Sequence, residues 1–400
     1  MRNPQSSRRG RPAGDARELE TVKLVNELLL ERPLDVLRLR RVVAIRGLVN
    51  DGLRSRVWPL LLGVGEAAAP DEAARFAALA GSTHKDSHVV ECDMARSLWS
   101  YTEGWSEEGR AAKRAALRRV IDAAVGSNTS GIFYYQGLHD IAAVLLFVCG
   151  SELAAWRLLH ALAGGHLRDC TRVDLAAATE TLRLLYPILE RCDPELHAYL
   201  HGLQEPALEV PYFALSWLLT WFAHDVPSLP QTARLFDLFL SSHPLMPLYV
   251  AAVVIKGQRQ QILACGEDGL QAYATLKKMR FLQPGQLGAD ELAQQAAALY
   301  QAVPPTRLAR QRGIRLEHCA AIDAYLCNGR WVVPAEPRGS RRHFAQHTAQ
   351  QLRAFFAPRE SLTSQQRRTA ALAAVITSVT GLAAMGALLV AQLQSAQWGQ

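Results

Sequence analysis

Tyr134-Tyr135-Gln136-Gly137-Leu138-His139-Asp140 stands where a polar, turn-prone run (126–131) gives way to a long apolar segment ending at Cys149. From Leu138 onward, apolar residues recur at Ile141, Leu145 and Val148, with Ala142, Leu146 and Cys149 beside them. That spacing predicts a helix apolar on nearly every face, and therefore buried. The chain thus places Gln136 at the mouth of a core helix, held by the core behind it and open to whatever docks in front. Alone, a glutamine in that position reads as a helix-end hydrogen-bonding residue.

Upstream, Val90-Glu91-Cys92-Asp93-Met94-Ala95-Arg96 has the form aliphatic-x-x-Asp-x-x-Arg. On a helix, Asp93 and Arg96 are three residues apart and share a face, so the carboxylate can steer the guanidinium. Taken with the Tyr-Gln-Gly run, this resembles the TBC domain, the catalytic module of GTPase-activating proteins for Rab GTPases. The resemblance covers roughly residues 33–305. It includes Arg56-Val57-Trp58-Pro59-Leu60-Leu61, Trp217 and Phe222 in an aromatic segment, and Arg234-Leu235-Phe236-Asp237. It implies an all-α, multi-helix fold in which Arg96 and Gln136 are both inserted into a partner's active site, supported by Asp93, Tyr135 and Gly137. The chain departs from the common family pattern at Ser97-Leu98-Trp99 after the arginine, at Tyr135 before the glutamine and at His139 after the glycine. These departures leave both finger residues in place and bear on partner choice.

Composition agrees with a large helical domain carrying appendages. The chain has 400 residues, 49% hydrophobic and 20% charged, rich in Ala and Leu and poor in alternating β-branched runs. The net charge of +7 is unevenly spread: residues 1–17 carry +4 and residues 306–368 carry +8, leaving −5 on residues 18–305. The basic character therefore belongs to the flanks. Aromatics do not interleave with those arginines as a nucleic-acid stacking platform requires, so nucleic acid is not an expected partner. Seven cysteines, without a Cys-x-x-Cys pair, indicate reduced thiols and no zinc site.

In chain order, residues 1–17 read as a disordered basic tail, since no apolar region accompanies the arginines. Helices are expected over 16–31, 33–45 and 53–62, the last with Trp58 as a core anchor, then a loop with one short helix over 63–87. A helix over 109–125 carries Arg110, Lys113, Arg114, Arg118 and Arg119 as a solvated basic face. Residues 152–163, 175–191 and 194–201 read as short Leu-rich helices, and 211–224 as one core helix apolar all round. Residues 234–240 and 245–255 complete the core of a domain expected over 18–305. Beyond Pro304-Pro305, residues 306–368 read as a basic linker.

Residues 369–391 are uncharged, 23 in number, and long enough to cross ~30 Å of hydrocarbon. Arg367 and Arg368 precede this stretch and nothing charged follows, which predicts a single-pass tail anchor with the main domain cytosolic. Residues 392–400 would be a short lumenal tail, with the endoplasmic reticulum as the favoured membrane.

No Gly-x4-Gly-Lys-[Ser/Thr], His-Glu-x-x-His or Gly-x-Ser-x-Gly pattern occurs, so no hydrolase activity of its own is expected. No cofactor is expected either: GTP and Mg²⁺ would belong to the GTP-bound Rab partner. The lipid bilayer would be contacted through 369–391. The competing readings are a catalytically silent, membrane-anchored Rab-binding adaptor and a tail-anchored scaffold with unrelated partners.

Overall fold

Helix ends in this chain are written into the sequence. Asn50 accepts from the Leu53 N–H at 3.0 Å and opens helix Asp51–Leu62, which Gly63 closes in a left-handed conformation. Ser106 and Ser151 cap Glu107–Val125 and Glu152–Gly164 in the same way, and Gly150 ends Leu138–Cys149. Such caps satisfy backbone groups that a helix terminus leaves unpaired. The computed structural model describes residues 13–65, 67–98, 101–126 and 131–334, and within them the architecture is helical apart from one two-stranded hairpin.

The predicted elements are found with boundaries shifted by a few residues: Ala13–Leu30, Val36–Arg46, Asp51–Leu62, Glu107–Val125 and Leu138–Cys149 lie where hydrophobic spacing put them, and helix Ser87–Ala95 carries the Asp93 motif. Helix Leu138–Cys149 is buried on almost every side, with Leu138, Ile141, Ala142, Val144 and Leu145 fully enclosed. The basic face of Glu107–Val125 is only in part solvated: the Arg110 and Arg114 side chains are largely covered and pair with Glu107, while the exposed Arg119 pairs with Glu152. Residues 175–191 are not one helix but Ala176–Thr181, a 3-10 turn at Leu182–Leu184 and Leu185–Cys192.

A single carboxylate ties the N-terminal helices to helix Leu229–Ser241. Asp237 is completely buried and accepts from the Leu48 N–H at 2.8 Å and the Trp58 indole at 2.8 Å, with the Arg54 guanidinium at 3.2–3.3 Å. The sequence pointed to Trp58 and Asp237 as landmarks, but Arg54, not Arg56, is the buried cation between them; Arg56 is exposed and reaches Asn26.

Two expectations are corrected. Residues 211–224 do not form one helix: a 3-10 turn at Tyr212–Ala214 leads into Leu215–Leu219, after which Trp221 (φ 51°) and Phe222 (φ 65°) are both left-handed. A continuous helix would put Trp217 and Trp221, four apart, on one face. The break instead sends Trp221 against Phe236 and Phe239, while Trp217 packs edge-on to Phe281. Two left-handed non-glycine residues cost about 1–3 kcal/mol each, a strain that the aromatic core must over-determine.

Packed structure also runs past residue 305, where the linker was expected to begin. Helix Pro305–Gln311 buries Leu308, and a hairpin pairs Tyr325–Cys327 with Arg330–Val332. Two buried carboxylates hold this segment: Glu180 accepts from the backbone N–H groups of Glu317, His318 and Cys319, and Asp169 from those of Ala320 and Ala321. Composition suggested a linker because Arg and small residues dominate there; backbone bonding to distant carboxylates leaves no such signature. Among the described residues no helix is long and apolar enough to cross a membrane. The basic tail expected over 1–17 is helical from Ala13, where helix Ala13–Leu30 begins; its residues 1–12, the expected span at 369–391 and the linker beyond 334 lie outside the described residues.

Candidate functional site

Helix Ser87–Ala95 delivers Asp93 inward and ends one residue short of Arg96, whose backbone N–H still reaches the Asp93 carbonyl at 3.2 Å. Asp93 is completely buried, while the Arg96 side chain is 51% exposed. The Arg96 guanidinium donates to Asp93 Oδ1 from Nη2 at 2.6 Å and from Nε at 3.2 Å. The second carboxylate oxygen accepts from the Tyr134 hydroxyl at 2.7 Å, and His139 Nδ1 lies 3.0 Å from that hydroxyl and 3.4 Å from Asp93 Oδ2. Burial pushes the Tyr134 phenol well above its ordinary value, and the Asp93 charge adds to this, so Tyr134 remains a donor. Asp93 is thus fixed from behind, and it fixes an arginine whose head faces solvent. A charge-assisted contact of this kind pre-sets the guanidinium's direction.

Gln136 lies between Tyr135 and Gly137 immediately before helix Leu138–Cys149 and is half-buried. Gly137 has φ 110°, and a Cβ there would lie 2.9 Å from the Thr220 methyl. Only glycine therefore permits this close approach of the glutamine turn to the segment after Leu215–Leu219. Tyr135 is buried and donates to the Leu219 carbonyl at 2.9 Å. Its side chain therefore faces into the wall of the site, bracing the turn from within.

Helix Leu138–Cys149 adds Asp140 in its first turn. Its carboxylate stands between two imidazoles, Oδ1 3.4 Å from His139 Nε2 and Oδ2 3.3 Å from His224 Nδ1. Burial alone would raise the Asp140 carboxyl, but His139, His224 and Arg96 together hold it below the ordinary carboxylate range. The hydrogen bond that His224 donates to Asp140 is the main cause that pushes its pKa up to about 9. Burial pushes Asp225, next in the chain, up to about 6.

The structure therefore gathers Asp93, Arg96, Tyr135, Gln136 and Gly137 around the packed junction of Ser87–Ala95 and Leu138–Cys149. Sequence reading missed Tyr134, Asp140 and His224. The first carried a signal in the Tyr-x-Gln-Gly spacing; His224 carried none, because its placement depends on the left-handed break before it. Among the described residues, no cluster of His, Cys, Asp and Glu has the arrangement to hold a metal ion.

A helical fold with a buried carboxylate aiming an exposed arginine beside a glutamine turn defines a class of protein that the known families then specify. A model of the Rab-GTPase-TBC domain matches residues 51–263, and the chain belongs to that family. It is 32% identical over 309 residues to TBC1 domain family member 20 of Mus musculus, a match covering 77% of this chain and 74% of the mouse protein. It is also 32% identical over 271 residues to the GTPase-activating protein gyp10 of Schizosaccharomyces pombe, covering 66% of this chain and 68% of that one. The crystal structure of the Ypt/Rab-GAP domain of Gyp1p superposes with a TM-score of 0.56 at 12% identity, covering 71% of this chain and 98% of that domain, a likeness of fold.

Proposed function

We propose that this protein is a GTPase-activating protein for a Rab GTPase, inserting Arg96 and Gln136 into the partner's nucleotide site. The observation that carries the reading is the pairing of a half-exposed Arg96 with a fully buried Asp93, itself locked by Tyr134. Burying a carboxylate is expensive, and here the arrangement spends that energy on aiming a surface cation. Phosphoryl transfer from GTP spreads charge over the transferred group and needs an oriented water. A guanidinium supplied in trans stabilises that charge, worth about 10³–10⁵ in rate for arginine fingers. The Gln136 amide, donor and acceptor at once, can orient the water. The chain's own residues do no hydrolysis; GTP and Mg²⁺ are the partner's. We infer also that 369–391 anchors the protein in the endoplasmic reticulum membrane, with the helical domain on the cytosolic side.

The test is single-turnover hydrolysis by a panel of GTP-loaded Rabs. Arg96→Ala should stay folded, melting somewhat lower because buried Asp93 loses its cation, and lose at least nine-tenths of the stimulation. The glutamine assignment predicts a crossed pattern: a Rab with its own switch glutamine changed to Ala should still respond to the wild-type domain. A wild-type Rab should respond to Gln136→Ala roughly 10²–10³-fold less, the loss of one preorganised transition-state group. A dead Rab mutant alongside a near-normal Gln136→Ala would reduce Gln136 to a helix-end residue. Rab binding without any acceleration would make the protein an adaptor.

A further inference from the structure

We propose that His224 is a third partner-contacting group of this site, an imidazole pinned by Asp140 at one nitrogen that offers the other as a donor to an oxygen acceptor on the docked GTPase, so governing affinity and partner choice. This rests on the reading above, that a Rab sits over Arg96 and Gln136.

Three features support it. First, His224 is held but not covered: Nδ1 lies 3.3 Å from Asp140 Oδ2 while the side chain remains 56% exposed. Second, its backbone is fixed by the core. Trp221 and Phe222, both left-handed, are buried against Phe236, Phe239 and Phe281, and the Tyr101 hydroxyl donates to the Ala223 carbonyl at 3.1 Å. A surface side chain set on so constrained a backbone loses little entropy on contact with a partner. Third, its surroundings define its charge. Asp140 and His139 face it from the glutamine helix, Arg96 from the end of Ser87–Ala95, and Asp225 from its own segment. With its pKa at about 9, the ring is an imidazolium at neutral pH, so Nδ1 donates to Asp140 and Nε2 of this half-exposed ring is also protonated. Arg96 and His224 then present two cations on one rim, which fits a carboxylate or carbonyl of the partner rather than an apolar surface.

The experiment measures kcat and KM of stimulated hydrolysis on GTP-loaded Rabs, using the full chain as wild type, Arg96→Ala, His224→Ala and His224→Arg, with melting temperatures alongside. His224→Ala should raise KM for the Rab roughly tenfold, the worth of one charge-assisted hydrogen bond, with kcat within about twofold. His224→Arg should recover most of that loss. For wild type, KM should climb as pH rises through about 9, while KM of His224→Ala stays flat. An unchanged KM for a folded His224→Ala, or parallel pH profiles, would overturn the inference. Should His224→Ala unfold, the inference stands or falls on the wild-type pH profile and on whether His224→Arg retains KM. If Arg96→Ala abolishes stimulation and His224→Ala matches wild type, only the His224 inference is lost; if wild type stimulates no Rab, both readings are.

Discussion

The Tyr134 hydroxyl shows how much of this site depends on a group that never faces solvent. Asp93 is completely buried, so its carboxylate relies on Arg96 as its cation and on Tyr134 as a hydrogen-bond donor, with His139 Nδ1 3.4 Å away. Tyr134→Phe removes one of these and leaves the ring's packing in place. It should lower stability by about 1–3 kcal/mol, the cost of a buried acceptor losing its donor. It should also lower kcat of stimulated hydrolysis while KM for the Rab stays near wild type, since the loosened carboxylate aims Arg96 less well but Arg96 is still present. Thermal unfolding and single-turnover rates read the two effects separately; a raised KM with unchanged kcat would show that Tyr134 shapes the docking face and does not orient Arg96. Asp93 and Arg96 were legible in the sequence because a three-residue spacing on a helix is a local relation. The Tyr134 contact spans 41 residues, and only packing of the two helices closes it.

Among the elements, helix Leu229–Ser241 does for the fold what Asp93 does for the site. Its Asp237 gathers the turn at Leu48, the cation Arg54 and the indole of Trp58 into one fully buried knot. Asp237→Ala would leave Arg54 charged and partly unpaired in the core, since Asp51 alone would remain as its carboxylate partner. Losing one member of a buried pair costs about 3–5 kcal/mol, so this variant should unfold at markedly lower denaturant with its slope unchanged. A midpoint close to wild type would mean that water enters and replaces the carboxylate. The aromatic segment 211–224 carries the opposite lesson. Its apolar run predicts burial correctly, yet burial does not choose between one helix and a broken one. That choice is made by where Phe236, Phe239 and Phe281 stand to receive Trp217 and Trp221.

For the whole molecule, the decisive question is where the folded unit ends. The family match stops at residue 263, composition placed the boundary at 305, and packed structure runs past 305 through 334, the last of the described residues. Residues 317–321 satisfy two buried carboxylates, Glu180 and Asp169, and Arg40 donates to the Gly329, Leu240 and Leu61 carbonyls, fastening the hairpin to the helical body. A chain ending at 305 strips those partners and should melt more than about 5 °C below one ending at 334, which should melt like the full domain. Equal melting of the two truncations would show that residues 306–334 contribute no net stability. The chain ending at 334 should also keep stimulating Rab hydrolysis in solution, since the anchor proposed at 369–391 would contribute location and local concentration.

Local patterns in the sequence were enough to point to a helical domain, the buried glutamine helix and the motif pair of Arg96 and Gln136. Periodicity, caps and short spacings depend on neighbours in the chain, and those are visible in a string of residues. What only the tertiary structure decided is every relation between distant segments: that Arg54 and not Arg56 pairs with Asp237, that the fold extends to 334, and that His224 reaches Asp140. The last of these depends on two strained residues at Trp221 and Phe222, which no local preference favours and which hold only because the aromatic core on both sides leaves them no other place.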